Sequence, residues 1–235
     1  MLKNILFDLD GTLLPMDQDC FLEAYFGLLA ARIGPLGYEP KKLVEAVWSG
    51  TMEMIRNNGE RTNEEIFWAR FSAIFGERVF GDQAAFEDFY RTDFHQLRTV
   101  CGLNPKVPSL ITKLRRSGLR LVLATNPIFP AIATETRMTW NGLAPSDFEL
   151  YTTYENTAFC KPNPAYFTDI LQKLGMRADE TLMVGNDAED DLSAAKAGIS
   201  VFLVTDCLIN KKERDLSPYP CGDFDALAAY IDSHR

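Results

Sequence analysis

Short runs of consecutive apolar residues punctuate the chain at Lys3–Asp8, Leu119–Ala124, Thr181–Val184 and Val201–Val204, with a weaker one at Phe148–Thr152. Such runs, without strict alternation, are what parallel strands buried on both faces look like. The three later strong runs each follow a stretch with helical spacing, at Pro108–Ser117, Ala165–Leu174 and Leu192–Ala197. Strands alternating with helices predict an α/β fold, a doubly wound parallel sheet covered on both faces. Ser217–Gly222 reads as a loop before a last helix near Asp225–Ser233.

Between the first two strands lie about a hundred residues, where a crossover needs only about a dozen. The surplus, from about Met16 to Val100, has no strand-like run. Its spacing predicts helices at Gln18–Ile33, Pro40–Arg56, Asn63–Phe75 and Gln83–Leu97. Gly34-Pro35, Asn58-Gly59 and Gly81-Asp82 supply the turns between them. Thr62 and Glu65 have the spacing of a capping box. The stripe Phe67, Trp68, Phe71, Ile74 and Phe75 behind it is expected to be core. The division expected is an α/β core of residues 1–14 and 101–235, interrupted by a helical cap domain of residues 15–100.

Composition narrows the function. With 235 residues, 46% of them hydrophobic, the chain can bury a full core. A net charge of −9 argues against nucleic acid and membrane surfaces as partners. An acidic protein that binds a phosphorylated small molecule needs a local cation. Five scattered cysteines (Cys20, Cys101, Cys160, Cys207 and Cys221) form no C-x-x-C pair and read as reduced thiols. An acidic residue already at position 8 does not suit a signal peptide, so a cytoplasmic location is expected.

The candidate chemistry sits where the predicted strands end. Asp8 and Asp10 flank Leu9, so in extended backbone both carboxylates face one way. Two acids so close repel unless a proton or a cation offsets them, and a Mg²⁺ ion with oxygen ligands would serve. Thr125 and Asn126 close the second strand, and Lys161 precedes a helix that Pro164 suits at its first turn. Gly185-Asn-Asp-Ala-Glu-Asp-Asp191 follows the strand Thr181–Val184. A hydroxyl, a lysine and several carboxylates thus fall at successive ends of one sheet, where open α/β folds place their sites.

Asp8-Leu-Asp-Gly-Thr-Leu-Leu14, Ala124-Thr-Asn126, Lys161-Pro-Asn-Pro164 and Val184-Gly-Asn-Asp-Ala-Glu-Asp-Asp191 resemble, in order, the four motifs of the haloacid dehalogenase superfamily. The likeness is greatest to its phosphoglycolate phosphatase-like branch, and the insertion is similar to that family's helical cap of the first type. The resemblance implies a Rossmann-like core and a Mg²⁺-dependent phosphatase acting on a small phosphorylated metabolite through an aspartyl-phosphate. Asp8 would be the nucleophile and Asp10 the general acid and base. Thr125, Asn126 and Lys161 would hold the phosphoryl group, with Thr125 and Lys161 also assisting catalysis. Mg²⁺ would sit on Asp8, Asp10 (through its main-chain carbonyl) and Asp187. The family usually has Gly-Asp where this chain has Gly185-Asn186. Asp187 is preferred as ligand because an anionic oxygen binds Mg²⁺ better than an amide; Asn186 and Asp191 are then supporting residues, and Asp190 is an outlying candidate.

Phosphosugar mutase is the rival activity within the family, mildly disfavoured by Thr12. Haloacid dehalogenation is disfavoured more strongly, since those enzymes lack the second acid supplied here by Asp10. A catalytically idle binding protein of the same fold is a further alternative. His95, Trp48, Met52 and Met54 are expected to be structural or surface residues. Arg56, Asn57 and Asn58 are candidates to reach the far end of a substrate.

Overall fold

A computed structural model describes all 235 residues. Six strands, β1 Asn4–Phe7, β2 Arg120–Leu123, β3 Leu150–Tyr151, β4 Thr181–Gly185, β5 Ser200–Val204 and β6 Cys221–Gly222, form one sheet in the order β3-β2-β1-β4-β5-β6. Every pairing is parallel. The apolar runs are therefore strands, and the central β1, β2 and β4 are buried on both faces. Ile5, Phe7, Leu121, Leu123, Leu182 and Val184 point into the larger of two cores, while Leu6, Val122 and Met183 point into the smaller. That division is the two-residue side-chain period of a strand.

Helix α7 (Pro164–Leu174) covers the smaller core with Tyr166, Phe167 and Ile170. Helices α5 (Lys106–Arg116), α6 (Ala131–Trp140) and α8 (Phe224–His234) contribute to the larger one. Between β1 and α5 lie α1 Gln18–Ile33, α2 Pro40–Ile55, α3 Asn63–Phe75 and α4 Val79–Arg91. The Thr62–Glu65 capping box is present at the start of α3. Apolar residues of this insertion run without a break into the core over one sheet face. Phe21 and Tyr25 of α1 pack on Phe129, at ring-centroid distances of 6.4 and 5.4 Å, and Phe94 stacks on Trp140 at 5.6 Å.

Four local expectations are corrected. The helix expected over Gln83–Leu97 begins earlier, at Val79, and breaks at Thr92, after which Asp93–Val100 continues as a 3₁₀ segment. Leu192–Ala197 is likewise part of a 3₁₀ segment, Asp191–Ala197. The loop at Ser217–Gly222 ends in the short edge strand β6, which pairs with Leu203 and Val204. Helix α6 had no counterpart in the sequence reading. No helix is long and apolar enough to cross a membrane.

Candidate active site

Because all strands run the same way, their carboxyl ends share one edge. β1 lies between β2 and β4, so the residues that follow these three strands meet there. The turn after β1 closes on itself through Leu14 N–H to the Leu9 carbonyl at 2.8 Å and Gly11 N–H to the Leu14 carbonyl at 2.8 Å. Gly11 has φ +83°, and a Cβ there would come within 2.2 Å of Asn186 Nδ2. Only glycine fits both demands.

Lys161 is the electrostatic centre. Its side chain is 1% exposed, and its ammonium donates to Asp8 Oδ1 at 2.9 Å and to Asp191 Oδ1 at 2.7 Å. Burial pulls its pKa down, but the carboxylates of Asp191 and Asp8 outweigh that and hold it well above the usual lysine value. Asp8 is pushed up to about 7, chiefly by burial and further by Asp191 and Asp10, against the pull of Lys161. Asp10 is raised by burial, with Arg137 and Lys161 opposing.

The fourth motif is wound around Asp191. One of its carboxylate oxygens accepts the backbone N–H groups of Asn186 and Asp187, both at 2.9 Å, and the other accepts from Lys161. A Cβ on Gly185 would lie 2.0 Å from Asp191 Oδ2, which is why a glycine ends β4. Asn186 is occupied at both ends: Oδ1 accepts from the Thr12 hydroxyl at 2.9 Å, and Nδ2 donates to the Cys207 carbonyl at 2.8 Å. Asp187 uses Oδ1 to accept from Glu189 N–H and Asp190 N–H. Asp190 accepts from Asn126 Nδ2 at 3.0 Å and is raised to about 6, mainly by burial, with Asp187 and Asp191 adding to it. Asn126 Oδ1 accepts from Lys161 N–H at 3.2 Å, so this side chain braces two site segments against each other. Thr125 is buried and lines the same cavity.

Two oxygen atoms of Asp10 stand out. Its side-chain Oδ1 is buried without a hydrogen-bond partner. Its main-chain carbonyl accepts no backbone hydrogen bond, although those of Leu9 and Leu14 in the same turn do. Together with Asp8 and Asp187 these form a set of hard oxygen donors. No three His, Cys, Asp or Glu side chains converge as a closed metal site would. That still fits Mg²⁺, which takes one or two carboxylates and fills its other positions with water and phosphate oxygens.

Arg137, on the helix that the sequence reading missed, joins the site. Its side chain is 1% exposed and pairs with Asp10 Oδ2. Its guanidinium lies 4.5 Å from the Phe129 ring centroid and also donates to the Ala133 carbonyl and to Thr134 Oγ1. The partners are 127 positions apart in the chain; the one sequence clue was that a second buried acid needs a counter-charge. The loop around Lys211–Arg214 is fastened to the site. Lys212 and Arg214 pair with Glu189, and Ile209 bonds backbone to backbone with Asn186 and Ala188, fastening this loop to the fourth motif.

Other candidates lie elsewhere or act differently. Arg56 pairs with Glu53 on the surface, and Asn57 is buried, bonding Arg61 and Asn63; Arg56, Asn57 and Asn58 do not line the cavity. Conversely Trp48, expected to be packing, is 43% exposed and lines the cavity, as do Phe67 and Trp68 of the aromatic stripe. His95 is on the surface. Cys160 is buried, its pKa is pushed up by burial, and its Sγ accepts from Asn63, so it is no reactive thiol.

The haloacid dehalogenase-like hydrolase family model matches residues 2–198. Among relatives, a phosphoglycolate phosphatase of Vibrio parahaemolyticus is 29% identical over 208 residues, covering 87% of this chain and 84% of its own. A ribulose-1,5-bisphosphate 5-phosphatase of Halopiger xanaduensis is 28% identical over 205 residues, covering 84% and 82%. Among solved structures, a predicted phosphoglycolate phosphatase from Haemophilus somnus superposes with a TM-score of 0.60 at 19% identity, covering 98% of both chains. A 2-haloacid dehalogenase from Pseudomonas syringae gives 0.61 at 20% identity, covering 98% and 100%. These structures agree on the fold alone. With its four motifs gathered at one sheet edge and the family model spanning most of its length, the chain belongs to the haloacid dehalogenase-like hydrolases.

Proposed function

We propose that this hydrolase is a Mg²⁺-dependent phosphatase that cleaves a small-molecule phosphate monoester through an aspartyl-phosphate on Asp8. The observation that carries the reading is the pair of carboxylates after β1. Asp8 is held by Lys161 at 2.9 Å, and Asp10 beside it keeps one buried oxygen unpartnered. Halide departs without a proton, so haloacid cleavage has no use for the second acid. An alkoxide leaving phosphorus needs one.

In this reading Asp8 attacks phosphorus as the bond to the ester oxygen breaks, and Asp10 gives the departing alcohol its proton. Asp10 then takes a proton from the water that attacks the aspartyl-phosphate, and inorganic phosphate leaves. Lys161 and the Thr125 hydroxyl bind the phosphoryl oxygens, and Asn126 keeps the Lys161 backbone in place. Asp8, Asp187 and the main-chain carbonyl of Asp10 would hold Mg²⁺, which supplies positive charge to the crowded oxygens. Residues 15–100 would act as a helical cap over residues 1–14 and 101–235, shielding the site from water. Five free cysteines suit a reducing, cytoplasmic setting.

Phosphate release from a broad panel of phosphate esters, with and without Mg²⁺, tests the reading. Asp8→Asn is expected to abolish turnover, because an amide is a poor nucleophile. Release from no ester, or an Asp8→Asn variant as fast as wild type, would overturn it.

A further inference from the structure

The cavity above Asp8 is unlike what a small anionic metabolite requires. It has a volume of about 310 Å³, roughly ten times a water molecule's share of the liquid. Seventeen of its 32 lining residues are hydrophobic, so beyond the carboxylates its wall is largely carbon. Phe129, packed on the Arg137 that pairs with Asp10, brings the aromatic surface up to the reacting groups. Phe26 and Trp48, 5.6 Å apart, stand where the cavity meets solvent, for Trp48 is 43% exposed.

The charges on the wall point the same way. Lys161 is the one cationic side chain lining the cavity, and its ammonium is already divided between Asp8 and Asp191. The neighbouring Arg137 is committed to Asp10. Away from the sheet edge the acidic side chains on the wall are Glu64 and Glu87, the latter paired with Arg91 at 3.2 Å. Glu64 is half-buried, and after burial itself the groups that raise its pKa are other carboxylates, Glu155, Glu65 and Glu87. A leaving group carrying its own carboxylate or a second phosphate would meet Glu64, which has no cationic partner.

We propose, building on the phosphatase reading, that the cavity selects an aromatic alcohol without a second anionic group as the leaving group. Its ring sits among Phe21, Tyr25, Trp48, Phe67 and Phe129, whose faces and edges suit ring-on-ring packing. Glu64, unpaired on that wall, excludes esters whose leaving group carries a second anionic group, a form of specificity by repulsion.

The test compares 2-phenylethyl phosphate with 2-phosphoglycolate on the Mg²⁺-loaded full chain. Both are esters of primary alcohols, so their contrast reports the cavity more than reactivity at phosphorus. kcat/KM is expected to favour the phenylethyl ester by about 100-fold, mostly through KM. Trp48→Ala should raise KM for that ester about tenfold, and Glu64→Arg should improve phosphoglycolate cleavage by a similar factor. 2-Phenylethylphosphonate, which cannot be hydrolysed, should quench the fluorescence of Trp48 and Trp68, whereas phosphonoacetate should not. A preference for phosphoglycolate, with phosphonoacetate the tighter binder, would overturn the aromatic assignment and leave the phosphatase reading standing. Tight binding of the phenylethylphosphonate with no phosphate released from any ester would do the reverse.

Discussion

Replacing Arg137 by methionine should expose how much the Asp10 site depends on one buried cation. The guanidinium pairs with a carboxylate that is itself only 20% exposed, while the arginine side chain is 1% exposed. Removing one partner of a fully buried pair costs about 3–5 kcal/mol, because the other charge is left unpaired. The residual exposure of Asp10 places the effect near the lower end, about 3 kcal/mol. The cation–π contact with Phe129 adds about 1 kcal/mol at most. The hydrogen bonds to Ala133 and Thr134, both at 3.3 Å, are long and add little. Methionine fills most of the volume, so no large cavity term enters. In a chain of this size about 3 kcal/mol lowers Tm by roughly 6–12 °C. Urea unfolding of wild type, Arg137→Met, Asp10→Asn and the double variant measures both the loss and the coupling. If the charge pairing is the cause, adding Asp10→Asn to Arg137→Met should recover about 2 kcal/mol. A loss below about 1 kcal/mol, or one unchanged when Asp10 is neutralised, would refute the reasoning.

Two further outcomes are expected. Asp187→Asn should raise the Mg²⁺ concentration needed for half-maximal activity by about tenfold or more, and Asn186→Ala less, since both ends of the Asn186 amide are already bonded within the protein; the opposite order in a metal titration would move the ligand to Asn186. Metal-free protein should lose stability as pH rises from about 4 to 7, because Asp8, raised to about 7, and Asp190, raised to about 6, hold protons there that the unfolded chain has released. Thermal unfolding in EDTA across that range checks the slope, and a rise in Tm over the same interval would contradict it.

The strands were legible because a strand buried on both faces leaves a run of consecutive apolar residues. Asp8, Thr125 and Asn186 were legible because they sit directly after such runs, whereas Lys161 lies ten residues beyond β3, just before α7. The α3 cap was legible for an equally local reason, the Thr62–Glu65 spacing. Helix α6 was not. Its sequence, Ala-Ile-Ala-Thr-Glu-Thr-Arg-Met-Thr-Trp, mixes three threonines into ten residues, starts without a side-chain cap and buries polar Thr134, Thr136 and Arg137 along with Met138. Such a helix has no apolar stripe against a polar face, so periodicity passes over it. Arg137 was lost with it, for nothing local marks an arginine whose partner lies in another motif. The aromatic stripe of the insertion does join the core, with Trp68 and Phe71 in it and Phe67, Ile74 and Phe75 packed against it, but its spacing did not show that part of it also faces the cavity. Helical spacing says which side chains share a face, but not whether that face closes on its neighbours, as at Phe71, or leaves a space, as at Phe67 and Trp68. That difference is set by how four helices and the loop carrying Phe129 meet.

The charges at the sheet edge explain how a chain of net charge −9 can receive an anion. Asp8, Asp10, Asp187, Asp190 and Asp191 face Lys161 and Arg137, five acids against two bases. Without metal, protons relieve part of the surplus: burial first, and the neighbouring carboxylates after it, raise Asp8 and Asp190. A divalent cation relieves it better and frees Asp8 to act as a carboxylate, so metal binding should expel protons near neutral pH. A phosphate ester entering a site still filled with unpaired carboxylates would be repelled; under the proposed function, one entering after the metal would meet added positive charge beside Lys161. Metal and substrate would then favour each other's binding by reducing the same excess of charge. The acidity of the chain as a whole is then no obstacle, since within about 8–10 Å, the screening length of physiological salt, the local groups decide the field.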